Sequence, residues 1–218
     1  QKHTGRELYL LPTQTLVGPA QARALQVKGP EDLWGGYVDH DFICTKAISH
    51  GLLSPEAKAP EGWSPLFCER VRDVVLAGLS VFALEDARPA AERLLYSGPI
   101  RLKPVHACAG RGQEVIHSLD AFEAVLARPE AAQMFSEGVV LEQDLHDVVT
   151  HSVGQSFIGD HVFSYCGEQY LTKDGQGEEV YGGSNLLVVP GGYEDLLTLD
   201  LPDGVRQAIE QAQVFDAA

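Results

Sequence analysis

Apolar and polar positions alternate along several short segments, which is the pattern of half-buried β-strands. Val139–Gln143 is instead almost continuously apolar before it meets acidic residues, as a buried strand does. The predicted strands are, in chain order, Glu7–Leu11, Ile100–Val105, Gln113–His117, Val139–Gln143, Ser152–Ile158, His161–Tyr170 and Glu179–Val189. The last three follow one another closely and predict an antiparallel meander.

Apolar residues at helical spacing lie between these strands. Pro65 after Ser64 predicts a helix start, because proline at the first helical position loses no needed hydrogen bond. The apolar residues that then share one helical face are Phe67, Val71, Val74 and Val75. Further helices are predicted at Ala87–Tyr96, after the capping residue Ser118 and at Asp203–Val214. This mixture predicts an α+β fold, with helices on one face of a mainly antiparallel sheet.

The composition is that of an ordinary globular chain. Of the 218 residues, 44% are hydrophobic and 22% are charged, which argues against global disorder. The longest uncharged apolar run, Val74–Leu84, is far shorter than the ~20 residues of a membrane helix. The first residues contain no apolar run of the signal-peptide type. The four scattered cysteines match neither a disulfide framework nor a zinc motif, so we expect reduced thiols, no membrane and a cytoplasmic location.

The charge is strongly negative and unevenly distributed. The chain has 31 acidic and 16 basic residues, a net charge of −15, which argues against sequence-independent nucleic-acid binding. Residues 1–109 contain 12 basic and 12 acidic side chains, whereas residues 110–218 contain 4 basic and 19 acidic ones. The second half therefore has either a solvated acidic face or a divalent-cation site, and composition alone favours the solvated face.

Three segments in the middle of the chain contain candidate functional residues. Lys103 lies within an apolar strand, where an ammonium must reach either the surface or an anion. The loop that follows contains Gly110, Arg111 and Gly112, and such a loop can bring backbone N–H groups around a phosphate. The third segment is the acidic end of the strand at Glu142. Taken singly, the loop is better explained as a plain hairpin turn, and the acidic segment as an ordinary strand end.

Together these segments resemble the ATP-grasp superfamily. Its pattern is a strand with Lys-Pro, a mobile glycine-rich loop, a helix and an acidic hinge strand, here Glu142-Gln143-Asp144-Leu145, whose first residue lies 39 positions after Lys103. Thr45-Lys46-Ala47 resembles the family's first ATP-binding lysine segment, and Ser152-Val153-Gly154 resembles the strand after the hinge. The segment Tyr181-Gly182-Gly183-Ser184-Asn185 also resembles an uncharacterised bacterial family of ATP-grasp-like, carboxylate-amine ligase-like proteins.

The resemblance implies ATP and Mg²⁺ as cofactors and assigns roles to single residues. Lys46 and Lys103 would contact the α- and β-phosphates. The loop residues that would close over the β- and γ-phosphates are Gly110, Arg111 and Gly112. The hinge residues that would hold the adenine are Glu142, whose side chain would accept a hydrogen bond from the amino group, and Gln143 and Leu145, whose backbone would meet the ring edge. The family's ribose-binding Glu is missing near Thr150-His151, and Asp147 is the nearest acid.

The resemblance also implies an organisation and a reaction. Two subdomains would sandwich the nucleotide, with residues 1–50 as an N-terminal remnant, 51–138 as the small subdomain and 139–218 as a partial C-terminal subdomain. The family's late magnesium ligands are not found, so the chain is expected to be a fragment, and no metal or catalytic residue is assigned. The implied activity is ligation of an unknown small carboxylate to an amine or another nucleophile through an acyl-phosphate.

Two other functional hypotheses stay open. One is a non-catalytic nucleotide- or partner-binding module on the same fold, and the other is an unrelated α+β protein whose acidic half docks a basic partner. The eight histidines, including His146, His151 and His161, match no zinc pattern and are read as ordinary surface or hydrogen-bonded residues. The sequence contains no signal for an oligomeric state.

Overall fold

The N-terminal part of the chain forms a small parallel sheet and short helices. The structure is a computed structural model that describes residues 9–108, 111–175, 177 and 179–218. The first elements are strand β1 (Leu16–Val17), helix α1 (Gly18–Ala24) and strand β2 (Tyr37–Val38), and β1 pairs with β2 in parallel. The strand predicted at Glu7–Leu11 begins outside the described residues, and within it Leu10 forms a single parallel bridge with Leu33.

A four-stranded antiparallel sheet forms the central layer. Its strands have the spatial order β3-β6-β4-β5, and every neighbouring pair is antiparallel. The elements of this part are α2 (Leu66–Val71), β3 (Gly78–Val81), α3 (Leu84–Leu95), β4 (Ile100–Pro104), β5 (Glu114–Ile116), α4 (Leu119–Leu126), α5 (Ala131–Glu137) and β6 (Val139–Gln143). Strand β6 is the first element of residues 139–218, which were predicted as a separate subdomain. It is hydrogen-bonded into the same sheet as β3 and β4.

The two faces of this sheet have different roles because successive side chains of a strand point to opposite sides. Ile100 and Leu102 of β4 and Leu141 of β6 face a core built with helices α3, α4 and α5, and all three are at most 2% exposed. The alternate residues of β4 and β6 therefore face the other way. Arg101 lies directly opposite Glu142 in the β4–β6 register, and Lys103 lies opposite Val140. The strand pattern alone thus brings Lys103 and Glu142 to one face, diagonal to each other.

The C-terminal part is the predicted meander. Strands β7 (His151–Ile158), β8 (His161–Lys173) and β9 (Glu179–Pro190) form a three-stranded antiparallel sheet. Helices α6 (Tyr193–Leu197) and α7 (Asp203–Asp216) cover one of its faces. The buried residues of this smaller core are Cys166, Tyr193, Leu196 and Ile209.

The α+β prediction with mainly antiparallel sheets is confirmed, and the helix after Ser118 begins as predicted because the Ser118 hydroxyl accepts a hydrogen bond from the Ala121 N–H. The predicted helical face ending at Val75 is wrong. Helix α2 stops at Val71, a 3-10 turn follows at Arg72–Val74, and Val75 is extended. Strand β3 and helix α5 were not predicted. Among the described residues, none of the helices combines the length and apolar character needed to cross a bilayer.

Candidate functional site

A cavity of about 340 Å³ lies on the face of the central sheet opposite the helical core. The strand segments that reach it are the middle of β4 and the end of β6, and the Val74–Leu76 segment before β3 forms an apolar wall. The residues around it are Lys46, Ser49, His50, Val74, Val75, Leu76, Lys103, Gln113 and Glu142. Ligand pockets have volumes of roughly 300–1,000 Å³, so the cavity is large enough for a small ligand or part of a nucleotide.

Lys46 is held at this cavity by a short 3-10 helix, Lys46–Ser49. The Thr45 hydroxyl caps this helix by accepting a hydrogen bond from the Ala47 N–H at 3.2 Å. The Lys46 ammonium donates to the carbonyl oxygens of Pro104 (2.8 Å), Val105 (3.1 Å) and Ala107 (2.8 Å). Partial burial lowers the pKa of Lys46, and the nearby charge of Lys103 lowers it further. Lys46 therefore holds the segment between β4 and the glycine-containing loop.

Glu142 lies between two donors on the cavity side of the sheet. The Lys103 ammonium donates to Glu142 Oε1, and His50 Nε2 lies 3.2 Å from Oε2. The Glu142 side chain is 12% exposed, and burial by itself disfavours its charged form. Hydrogen bonds from His50 and Lys103, together with the charge of Lys103, outweigh burial and hold the pKa of Glu142 below its usual range. Glu142 is therefore a carboxylate that only accepts hydrogen bonds.

The predicted hinge residues after Glu142 form backbone hydrogen bonds with two other segments of the chain. The Gln143 N–H donates to the Ala77 carbonyl at 2.8 Å, and the Asp144 N–H donates to the Pro99 carbonyl at 3.0 Å. Leu145 is 42% exposed, and Asp147 is exposed in a turn where its φ is +52°. These residues thus lie at the end of β6, beside the cavity residue Glu142 and outside the set that lines the cavity.

An ion pair fixes the start of this hinge. Arg101 Nε and Nη2 lie 2.8 and 2.6 Å from Asp144 Oδ1, and the Asp144 side chain is fully buried. The other oxygen, Oδ2, has no hydrogen-bond partner, although His146 Nε2 lies 3.5 Å away. This ion pair joins the beginning of β4 to the residues that follow β6.

The glycine-containing loop connects β4 to β5. Gly110 lies outside the described residues. Arg111 is exposed, and its backbone N–H donates to the Cys108 carbonyl at 3.1 Å. Gly112 has a φ of +66°, a conformation that glycine adopts without steric cost. Neither Arg111 nor Gly112 is among the residues that line the cavity.

The structure brings Lys46, Lys103 and Glu142 around one cavity. The other predicted residues that it describes do not line this cavity: Arg111, Gly112, Gln143, Leu145 and Asp147. Sequence reasoning missed His50 and the Arg101–Asp144 ion pair. The only available signal was indirect, since a carboxylate at the end of a buried strand requires donors. The sequence does not say which histidine or arginine supplies them.

The described residues offer no cluster of side chains that would hold a magnesium ion by itself. Within residues 9–108, 111–175, 177 and 179–218, no group of three or more His, Cys, Asp or Glu side chains could hold a metal ion. Magnesium prefers carboxylates, phosphates and water as ligands, and the cavity carboxylate Glu142 is already paired with Lys103 and His50.

The chain was compared with curated proteins, solved structures and protein-family profiles. A search of curated proteins finds no significant match. The chain is similar to the crystal structure of D-alanyl-alanine synthetase A from Vibrio cholerae O1 biovar eltor, with 18% identity and a TM-score of 0.41 over 70% of this chain. The chain spans 43% of the length of that protein. It is also similar to a RimK domain ATP-grasp protein from Sphaerobacter thermophilus, with 11% identity and a TM-score of 0.35, over 93% of this chain and 80% of that one.

The predicted resemblance to ATP-grasp proteins is therefore confirmed as a resemblance. The profile of one protein family matches the chain over residues 1–218. The chain belongs to this family, which is described as a protein of unknown function, DUF3182.

Proposed function

We propose that the chain binds ATP in the cavity formed by Lys46, Lys103 and Glu142. The observation that carries this proposal is that these three residues, from a 3-10 helix and two separate strands, line one cavity of about 340 Å³. They are also the two lysines and the hinge carboxylate to which the motif order assigns ATP contacts.

The chemistry of the cavity suits a phosphorylated ligand with a planar base. Lys103 has three donors, and one of them goes to Glu142, which leaves two for phosphate oxygens. Lys46 donates to three backbone carbonyls, and phosphate oxygens would replace some of these contacts when the ligand binds. The wall at Val74–Leu76 is apolar and suits one face of a base. Glu142 supplies an acceptor for an N–H group of that base.

The proposed reaction is ATP-dependent ligation of a small carboxylate to an amine or another nucleophile. A carboxylate oxygen attacks the terminal phosphorus of ATP, and ADP leaves. The nucleophile then attacks the acyl carbon of the acyl-phosphate, loses a proton, and phosphate leaves. Lys46 and Lys103 would neutralise charge on the phosphates, which is the main catalytic requirement of phosphoryl transfer. A protein nucleophile is not needed.

ATP binding is tested by thermal unfolding and calorimetry of the whole chain with MgATP. A ligand present at 100 times its Kd stabilises the folded state by about 2.7 kcal/mol, so a saturable rise in Tm is expected. Lys103→Met should weaken ATP binding at least about tenfold, since a charge-assisted contact contributes about 1.5–3 kcal/mol. Lys58→Met, at an exposed lysine away from the cavity, is the matched control. No shift at millimolar MgATP in the wild type would refute the proposal.

Turnover is a separate measurement. Release of ADP and phosphate that requires one member of a panel of carboxylates would identify a ligase. Saturable ATP binding without release, for the full-length gene product and every carboxylate tested, would identify the non-catalytic nucleotide-binding module instead.

A further inference from the structure

His50 is a buried residue of the cavity to which the motif order assigns no role. It is 6% exposed and directly follows the 3-10 helix that holds Lys46. The Ser80 N–H donates to the Gly51 carbonyl at 2.9 Å, and the Ser80 hydroxyl donates to the Ala47 carbonyl at 2.6 Å. These bonds fix the His50 backbone against strand β3.

The His50 ring occupies a space that is open only because position 78 is a glycine. A Cβ atom at Gly78 would lie 2.8 Å from His50 Cε1 and Nδ1, and 2.9 Å from the Leu141 carbonyl oxygen. The ring therefore lies directly against the backbone of β3, and its Nε2 reaches the Glu142 carboxylate at 3.2 Å. This close packing leaves the ring little freedom to choose another partner.

The two donors on Glu142 act on different oxygens. Lys103 contacts Oε1 and His50 contacts Oε2. An ionised carboxylate has about four lone-pair sites, so each oxygen keeps a site for a further donor. Because both neighbours donate and Glu142 stays charged, a ligand group that faces Glu142 must also donate a hydrogen bond. An oxygen in that place would meet an acceptor and be rejected.

We propose that His50 is a positioning residue that gives the cavity its preference for a base with an exocyclic amino group. By holding Oε2, His50 fixes the plane of the Glu142 carboxylate, so that Glu142 accepts from the 6-amino group of a purine and rejects a 6-oxo group. The inference rests on the proposed function, because it needs a nucleotide in this cavity. The motif order already assigns the adenine to Glu142, and the inference adds His50 as the residue that orients this carboxylate.

The experiment compares ATP with ITP, which has an oxygen in place of the 6-amino group. The affinities of both nucleotides are measured by calorimetry for the wild-type chain and for two variants. His50→Phe has no N–H group on its ring, whereas the side-chain amide of His50→Gln can still donate a hydrogen bond. His117→Gln, at an exposed histidine, is the matched control. The wild type and the control should prefer ATP by at least about tenfold, since a site built to hydrogen-bond a ligand group discriminates strongly against its absence.

His50→Phe should reduce the ATP-to-ITP preference at least about fivefold, and His50→Gln should retain most of it, because donation to Glu142 is what matters. An unchanged preference in His50→Phe, even with weaker binding of both nucleotides, would mean that His50 only supports the fold, and it would overturn the inference. Equal binding of ATP and ITP by the wild type would overturn it as well and leave the proposed function intact. Failure of the wild type to bind either nucleotide would instead reject the proposed function.

Glu142→Gln gives an independent reading if His50→Phe does not fold. A glutamine amide both donates and accepts, so this variant should bind ATP and ITP with affinities that differ by less than about threefold. A wild-type preference that persists in Glu142→Gln would overturn the inference, because selectivity would then come from another part of the cavity.

Discussion

Arg101→Met is predicted to destabilise the fold because it leaves a charged group without its partner. Arg101 donates twice to Asp144 Oδ1, at 2.8 and 2.6 Å, and the Asp144 side chain is fully buried. Methionine keeps the length and apolar stem of arginine and removes only the charged head. The change therefore isolates the loss of the ion pair from the loss of packing.

The expected loss in the free energy of unfolding follows from the burial of each partner. Removing one partner of a fully buried pair costs about 3–5 kcal/mol, because the remaining charge is uncompensated. Arg101 is 33% exposed, so solvent already screens part of the interaction, and we expect a loss of about 2–4 kcal/mol. For a chain of this size, 1 kcal/mol corresponds to about 2–4 °C, so the Tm should fall by about 5–15 °C.

The assay is unfolding at pH 7 in urea and by heat, followed by circular dichroism. Arg88→Met is the control, because Arg88 and Glu123 form an ion pair of similar length, 2.5 Å, in which the side chains are 52% and 46% exposed. Exposed ion pairs contribute about 0–1 kcal/mol, so this variant should be close to the wild type. In the double variant Arg101→Met/Asp144→Asn the buried charge is gone, and stability should partly return. A double variant no more stable than Arg101→Met would refute the reasoning.

Two further predictions concern stability at the cavity. The pKa of Glu142 is lower in the folded chain than its ordinary value of 4.5, so its contribution to stability is present above that value and lost as the pH falls through the folded-state pKa. When unfolding is measured from pH 7 to pH 3, the free energy of unfolding should therefore fall less steeply for Glu142→Gln than for the wild type. Equal slopes would contradict this. Gly78→Ala should cost about 1–3 kcal/mol in thermal or urea unfolding, because its Cβ would overlap both the His50 ring and a backbone oxygen. Gly204→Ala is the control, since it adds a Cβ to open space in helix α7, and similar stabilities of the two variants would count against this packing argument.

Some elements could be predicted because their signals are local. Strand β6 has the predicted bounds, Val139–Gln143, since a short apolar run follows a glycine and ends in polar residues. The helix after Ser118 has a local cap, and a two-residue turn, Gly159–Asp160, joins strands β7 and β8. Strand β3 was missed because Val74–Leu84 is apolar at every register and shows no period. Helix α2 ended early for a related reason, since Val74 and Val75 are β-branched and suit extended backbone as readily as helix.

Strand β4 alternates apolar and charged residues, so its two-residue period already indicates that Lys103 points away from the face of Ile100 and Leu102. Strand β6 is instead almost continuously apolar up to Glu142, so the sequence leaves the direction of the Glu142 side chain open. The direction of Glu142, and the groups that contact Glu142 and Lys103, depend on tertiary packing. His50 contacts Glu142 across 92 positions of sequence, and Lys46 contacts the backbone of residues 58 to 61 positions away. Such contacts depend on how the 3-10 helix packs on β3 through Ser80 and Gly78, and no local pattern of polar and apolar residues encodes that packing.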